Sequence, residues 1–218
     1  MEKMLLKALV VASILSPAVA FAQTAKPKPA TATYITKEEI DLVSSSEQSK
    51  STADQNTKVV DLGSENFTVG VIHRASTRGA APQAPVAGGG PTSAAAPTET
   101  CGRQMTTLPA GGTPGGITHD FQTEGYYIVS GGGTMFTGGY IVNGRHSSQD
   151  AAGGPNGPTC GGTAYEVKQV VVKVGDIVIV PPGVVHGWSD IPDHVDYLSF
   201  RPSQNVLSAG WVNPTIQK

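Results

Sequence analysis

The chain has 218 residues, with 15 Lys and Arg against 17 Asp and Glu for a formal net charge of −2, so it lacks the basic excess that a nucleic-acid partner requires. Charged residues make up only 15%, while 27 Gly and 16 Pro follow no every-third-residue pattern, which excludes collagen and a charged solvating tail. The composition is that of a turn-rich soluble chain with length enough for one core.

The chain opens with Lys3 and Lys7, an apolar stretch from Ala8 to Leu15, a Ser16-Pro17 break and small residues at Ala20-Phe21-Ala22. This is the pattern of a secretory signal over residues 1–22 with cleavage after Ala22, and its apolar run is too short to span a bilayer. A secreted or periplasmic protein with no membrane association after cleavage is expected. Residues 23–56 read as a tether and a short helix. In that helix Thr36-Lys37-Glu38-Glu39 forms a capping box, and Ile40, Leu42 and Val43 supply an apolar face over 37–46.

From residue 57 to 218 the pattern predicts a single β domain. Val59, Val60 and Leu62 mark one strand, and Phe67, Val69 and Val71 alternate in a second. Residues 79–99 are Ala, Pro or Gly at 15 of 21 positions and read as a long surface loop. Further strands are expected at 104–109, 117–121, 124–130, 133–142, 165–173, 177–181, 184–189 and 194–201. Residues 143–164, rich in Gly, Ser and Pro, are expected to form a loop. Many short strands with such separators give an all-β sandwich or barrel. Cys101 and Cys160 are the only cysteines, and in an exported chain they read as one disulfide contributing roughly 3–4 kcal/mol.

Two segments carry chemistry. His119 near the end of one strand and Glu124 at the start of the next can point to the same side, as half of a metal site. The second runs from Gly175 to Asp190: a strand, a Pro181-Pro182-Gly183 turn and a strand presenting His186. The prolines end the first strand because neither can donate to a ladder.

Together these segments resemble the two motifs of the cupin superfamily, over about residues 119–190. Gly175, Pro181, Gly183 and His186 match the second motif, with Asp190 where the family has Asn. His119, Glu124 and Gly131 match the first at its spacings. The resemblance implies a cupin jelly-roll β-barrel with one short N-terminal helix, holding a metal between facing strands. Its ligands would be His119, Glu124 and His186. The departure is Ile117, which stands where the family has its first histidine and cannot ligate. Two readings follow: a two-His, one-carboxylate triad for a divalent ion, Fe foremost with Mn, Zn or Cu as alternatives, or a barrel without metal.

Around this set, Tyr126 shares the face of Glu124 and either lines the cavity or packs in the barrel. Gln122 lies in the turn between two ligands, where it can hydrogen-bond a bound water; Tyr126 and Gln122 are the candidate catalytic residues. Trp188 shares parity with His186, and Asp120 should turn away. His73, His146 and His194 read as structural or surface histidines, and Arg103 and Arg201 as surface groups with an alternative role in binding a substrate carboxylate. The expected activity is that of a metal-dependent small-molecule oxidoreductase of dioxygenase type. The alternatives are a metal-assisted lyase or isomerase, or a non-catalytic module binding a sugar or organic acid. The family also implies pairing of two copies.

Overall fold

A computed structural model describes residues 29–46, 53–78, 99–147, 156–203 and 206–217. The signal segment 1–22 and the Ala-Pro-Gly stretch up to residue 98 lie outside the described residues.

The helix α1 (Lys37–Ser44) forms where its capping box predicts. Thr36 Oγ1 accepts from the Glu39 backbone N–H at 3.3 Å, and a Glu39 carboxylate oxygen accepts from the Thr36 N–H at 3.1 Å. Its other oxygen holds Lys58 Nζ at 2.6 Å, and Val43 is fully buried, so the helix is fastened to the first strand.

The rest is β: β1 (Asp54–Asp61), β2 (Asn66–Ala75), β3 (Glu99–Cys101), β4 (Thr113–His119), β5 (Glu124–Thr137), β6 (Tyr140–Ser147), β7 (Thr159–Tyr165), β8 (Lys168–Lys173), β9 (Ile177–Val180), β10 (His186–Asp190) and β11 (His194–Ser203). All pairings are antiparallel, in the order β1-β2-β11-β5-β10-β4-β7-β6-β3, with β8 and β9 also on β5. The protein is an all-β, barrel-like fold with one short helix.

The 14-residue β5 is the hub. Its first half pairs with β9 and β11, its second with β8 and β10. Two strands with a break at residues 131–132 are predicted here; instead one strand runs through. Gly131 makes this feasible at a φ of 64°, where a Cβ would stand 2.0 Å from the His194 carbonyl oxygen. Only glycine fits so close an approach in that conformation.

Two other expectations are corrected. The predicted strand 104–109 is absent; that stretch is irregular backbone with a bend, and Leu108 is exposed. The predicted loop 143–164 contains most of β6 and nearly all of β7, which pair with each other. Among the described residues, Gly144 and Gly162 are packing residues. A Cβ at Gly144 would lie 2.9 and 3.0 Å from the two cysteine sulfurs, and one at Gly162 would lie 2.7 Å from Ile141 Cγ2. The Cys101–Cys160 disulfide therefore sits in a sheet that closes tightly around it, joining β3 to β7. β1 likewise begins at Asp54, inside the polar stretch read as tether.

The inward residues form two apolar clusters. One gathers Ile72, Ile128, Met135, Val195 and Tyr197; the other gathers Phe136, Ile141, Ala164 and Val185. Polar side chains are buried as well, among them His119, Glu124, His186 and Arg201. Among the described residues no helix is long and apolar enough to cross a membrane.

Candidate metal centre

His119 ends β4, Glu124 begins β5 and a four-residue turn joins them. His186 begins β10, the strand lying between β4 and β5 in the sheet order. The Pro181-Pro182-Gly183 turn that delivers it is stitched to the first segment, since Gly183 N–H donates to the His119 carbonyl at 2.8 Å. Gly183 adopts a φ of 75°, which favours a residue without a side chain. Two stretches far apart in sequence are thus brought together by local turn chemistry.

His119, Glu124 and His186 are each 2–3% exposed, and one ligand atom from each lies within 4.8 Å of the others. Glu124 Oε2 stands 3.4 Å from His119 Nε2 and 3.3 Å from His186 Nε2. The far side of each imidazole settles its tautomer. His186 Nδ1 faces the Val184 carbonyl at 3.0 Å, and a carbonyl only accepts, so Nδ1 carries the proton. The Thr159 hydroxyl donates to the Gly157 carbonyl at 3.0 Å and so accepts from His119 Nδ1 at 3.1 Å. In its neutral form each ring therefore turns an Nε2 lone pair toward one carboxylate oxygen. Burial lowers the His119 imidazole below its ordinary value of 6.5, outweighing the pull of Glu124, which favours this neutral form. Three buried lone-pair donors facing one point are the donor set of a cation site, and this group could hold a metal ion.

Glu124 is held from behind. Arg201, 1% exposed, donates through Nε to Glu124 Oε1 at 2.9 Å and to Ser199 Oγ at 3.0 Å. Its Nη1 donates to Asn56 Oδ1 at 2.9 Å, and its Nη2 pairs with Asp54. Burial alone would raise the Glu124 carboxyl, but the charge of the Arg201 guanidinium outweighs it and holds the group well below the usual carboxylate range. Burial likewise works against the charged form of Arg201, and Asp54 and Glu124 outweigh it. Oε1 is committed to the guanidinium, which leaves Oε2 as the ligating atom.

Room for this guanidinium comes from Gly70, where a Cβ would stand 2.9 Å from Nη1 and 3.0 Å from Cζ of Arg201. The head group cannot swing away without breaking its four contacts. Gly70→Ala is expected to cost about 1–3 kcal/mol, as overpacking does in a tight interior. Urea denaturation of both proteins checks it; equal midpoints would mean that the guanidinium has slack.

Of the other residues singled out in the sequence, Tyr126 reaches the centre: its hydroxyl donates to Glu124 Oε2. Burial, then the Glu124 charge, push its phenol well above the ordinary 10.0, so it remains a proton donor. Gln122 is 1% exposed in the turn, its backbone bridged to Ser203 on β11. Trp188 is half-buried against Tyr197, with ring centres 5.9 Å apart. Asp120 pairs with His146 Nε2 at 2.7 Å, away from the triad. His73 pairs with Asp196 at 2.6 Å on the surface and does not replace the missing histidine. Arg103 stacks on the Tyr140 ring at 3.4 Å.

Arg201 corrects the surface reading. The signal was its parity on β11 with Val195, Tyr197 and Ser199, all inward. Thr159, which sets the His119 tautomer, lay in a stretch read as loop.

Ile117 pairs directly with His186 across β4 and β10 and sits two residues before His119, on the same face. An apolar side chain thus occupies the position from which a fourth ligand would come. Ile117→His is expected to tighten metal retention at least about tenfold, equivalent to about 1.4 kcal/mol. Competition with a chromogenic chelator measures this, and an unchanged affinity would mean that position 117 does not face the ion.

No family model matches the chain, and no curated protein matches it. Among solved structures it is similar to Peruvianin-I, a cysteine peptidase from Thevetia peruviana latex, at 13% identity over 86% of this chain and 83% of that one, with a TM-score of 0.31. Likeness at that level carries no argument about fold or chemistry.

Proposed function

We propose that the chain is an exported, cupin-like metal protein acting as an oxidoreductase of dioxygenase type on a small molecule. One observation carries this reading. Two imidazoles, each tied through Nδ1, direct Nε2 at a single carboxylate oxygen in the buried interior, at 3.3 and 3.4 Å. With both rings neutral, lone pairs oppose lone pairs there, which is repulsive in a dry interior until a proton or a metal cation lies among them, and three converging donors suit the metal.

The donor set, two imidazole nitrogens and one carboxylate oxygen, suits Fe(II), with Mn, Zn or Cu as the alternatives. When bound, such an ion supplies Lewis acidity, positions for exogenous ligands and, as iron, one-electron chemistry. The chain's own residues supply the rest. His119, His186 and Glu124 hold the ion. Arg201 locks the carboxylate in one orientation through Oε1. Tyr126 keeps a proton at Glu124 Oε2, where it can be donated to a reacting oxygen. Tyr197 packs on Tyr126 with ring centres 4.5 Å apart and supports that orientation. The Cys101–Cys160 disulfide supports an oxidising compartment, in keeping with the expected signal segment.

Nitric oxide, added to Fe(II)-loaded protein under anaerobic conditions, tests the reading. It should give the electron paramagnetic resonance signal of a high-spin iron nitrosyl in the wild type and none in His186→Ala. A loaded wild type without that signal would contradict an iron centre with exchangeable positions. Turnover of a substrate under strict anaerobiosis would contradict the dioxygenase class and favour the lyase.

A further inference from the structure

A second group of side chains stands outside the barrel interior, where β5 and β11 part. Here Ser130 faces Asp196 and Gly131 faces Val195, and the register shifts between Asp196 and Tyr197. Such bulges re-aim side chains. The His194 ring is carried over Ser130, because Gly131 lets the His194 backbone pass where a Cβ would be only 2.0 Å from its carbonyl oxygen. Ser130 Oγ lies 2.8 Å from His194 Nε2, and His194 Nδ1 lies 2.6 Å from Asp193 Oδ2.

A carboxylate only accepts, so Nδ1–H points at Asp193 and the Nε2 lone pair accepts the Ser130 proton. This is the polarity that nucleophilic catalysis needs: hydroxyl, base and orienting acid in one chain of hydrogen bonds. Asp196 Oδ2, 3.8 Å from Nε2, adds a second negative charge near the imidazolium that proton transfer would create. Asp193 and His194 line an open cleft of about 490 Å³, and Ser130 directly precedes Gly131 of its wall. Gly132, Gly133, Val171 and Val172 line it, with Asp190 and Asp193 on its rim.

We propose that Ser130, His194 and Asp193 form a serine esterase centre, separate from the metal centre, for small esters with a short, uncharged acyl group. Ser130 Oγ adds to the ester carbonyl carbon while its proton passes to His194 Nε2. The carbon–oxygen bond to the alcohol breaks, and the alcohol leaves with that proton. Water then attacks the acyl-serine by the same route, releasing the acid and restoring the hydroxyl. Val171 and Val172 offer an apolar wall to the acyl chain, and the rim carboxylates disfavour an anionic one. Asp193 is 90% exposed, so water screens its charge and its share is smaller than that of the other two.

The test uses the full chain and two probes. A biotinylated fluorophosphonate followed by peptide mapping should place one phosphonyl adduct on Ser130; absence of an adduct there overturns the proposal without recourse to any variant. 4-Nitrophenyl acetate hydrolysis should fall at least about tenfold in kcat/KM in Ser130→Ala and His194→Gln and by a lesser factor in Asp193→Asn. Ser189→Ala, an exposed serine on β10, should match the wild type. Equal hydrolysis by Ser130→Ala and wild type would also overturn the proposal.

Discussion

Replacing Arg201 with Met is expected to lower folding stability by about 3–5 kcal/mol, the range for removing one partner of a buried ion pair. The reason lies in what remains. Arg201 is 1% exposed and connects Glu124, Ser199, Asn56 and Asp54. A methionine fills much of the volume but donates no hydrogen bond, so Glu124 keeps a buried charge without its guanidinium. The companion change Glu124→Gln should recover a substantial part of the loss, because it removes that charge. Urea denaturation of the wild type, the single variants and the double variant measures the coupling. Additive losses would mean that the two groups do not support each other.

The same pair fixes the sign of a pH effect in metal-free protein. The native Glu124 carboxyl is held below its ordinary value of 4.5. Its contribution to stability is therefore fully present above about pH 4.5 and is lost as pH falls toward the depressed native value. Without Arg201 the guanidinium no longer opposes burial, so this pH-dependent contribution is expected to shrink.

Removing the disulfide with Cys101→Ala and Cys160→Ala is expected to cost about 4 kcal/mol, from the chain entropy of a closed loop with a sequence separation of 59. The bond fastens β3, a three-residue strand that among the described residues pairs only with β6. Without it, that edge depends on its short ladder and on Arg103 over Tyr140. Neither cysteine belongs to the ligand group, so the variant should lose thermal stability while keeping its metal content. A midpoint equal to that of wild type would show that the ladder alone secures β3.

Much of this was legible in the sequence where local chemistry decides. The Thr36–Glu39 capping box placed the helix, because both of its hydrogen bonds lie within four residues. The prolines and Gly183 placed the turn before His186, and strand parity put Glu124 and Tyr126 on one face. The glycine-rich strands were harder. β6 and β7 carry Gly144 and Gly162, residues that normally mark loops, and the disulfide and Ile141 packed against them explain their presence. Arg201 was legible by parity, yet a lone arginine at a strand end ordinarily faces water. Its burial depends on Asp54, Asn56 and Gly70, well over a hundred residues earlier, a dependence that no local pattern records.

The claim at the centre is that His119, Glu124 and His186 hold a metal ion. Elemental analysis of protein reconstituted anaerobically with Fe(II) and then desalted tests it most directly. The account predicts about one metal per chain in the wild type and less than about a tenth in Glu124→Ala and His186→Ala, since each loses one of three ligands. A wild type that stays below a tenth, or variants that retain a full equivalent, would contradict it.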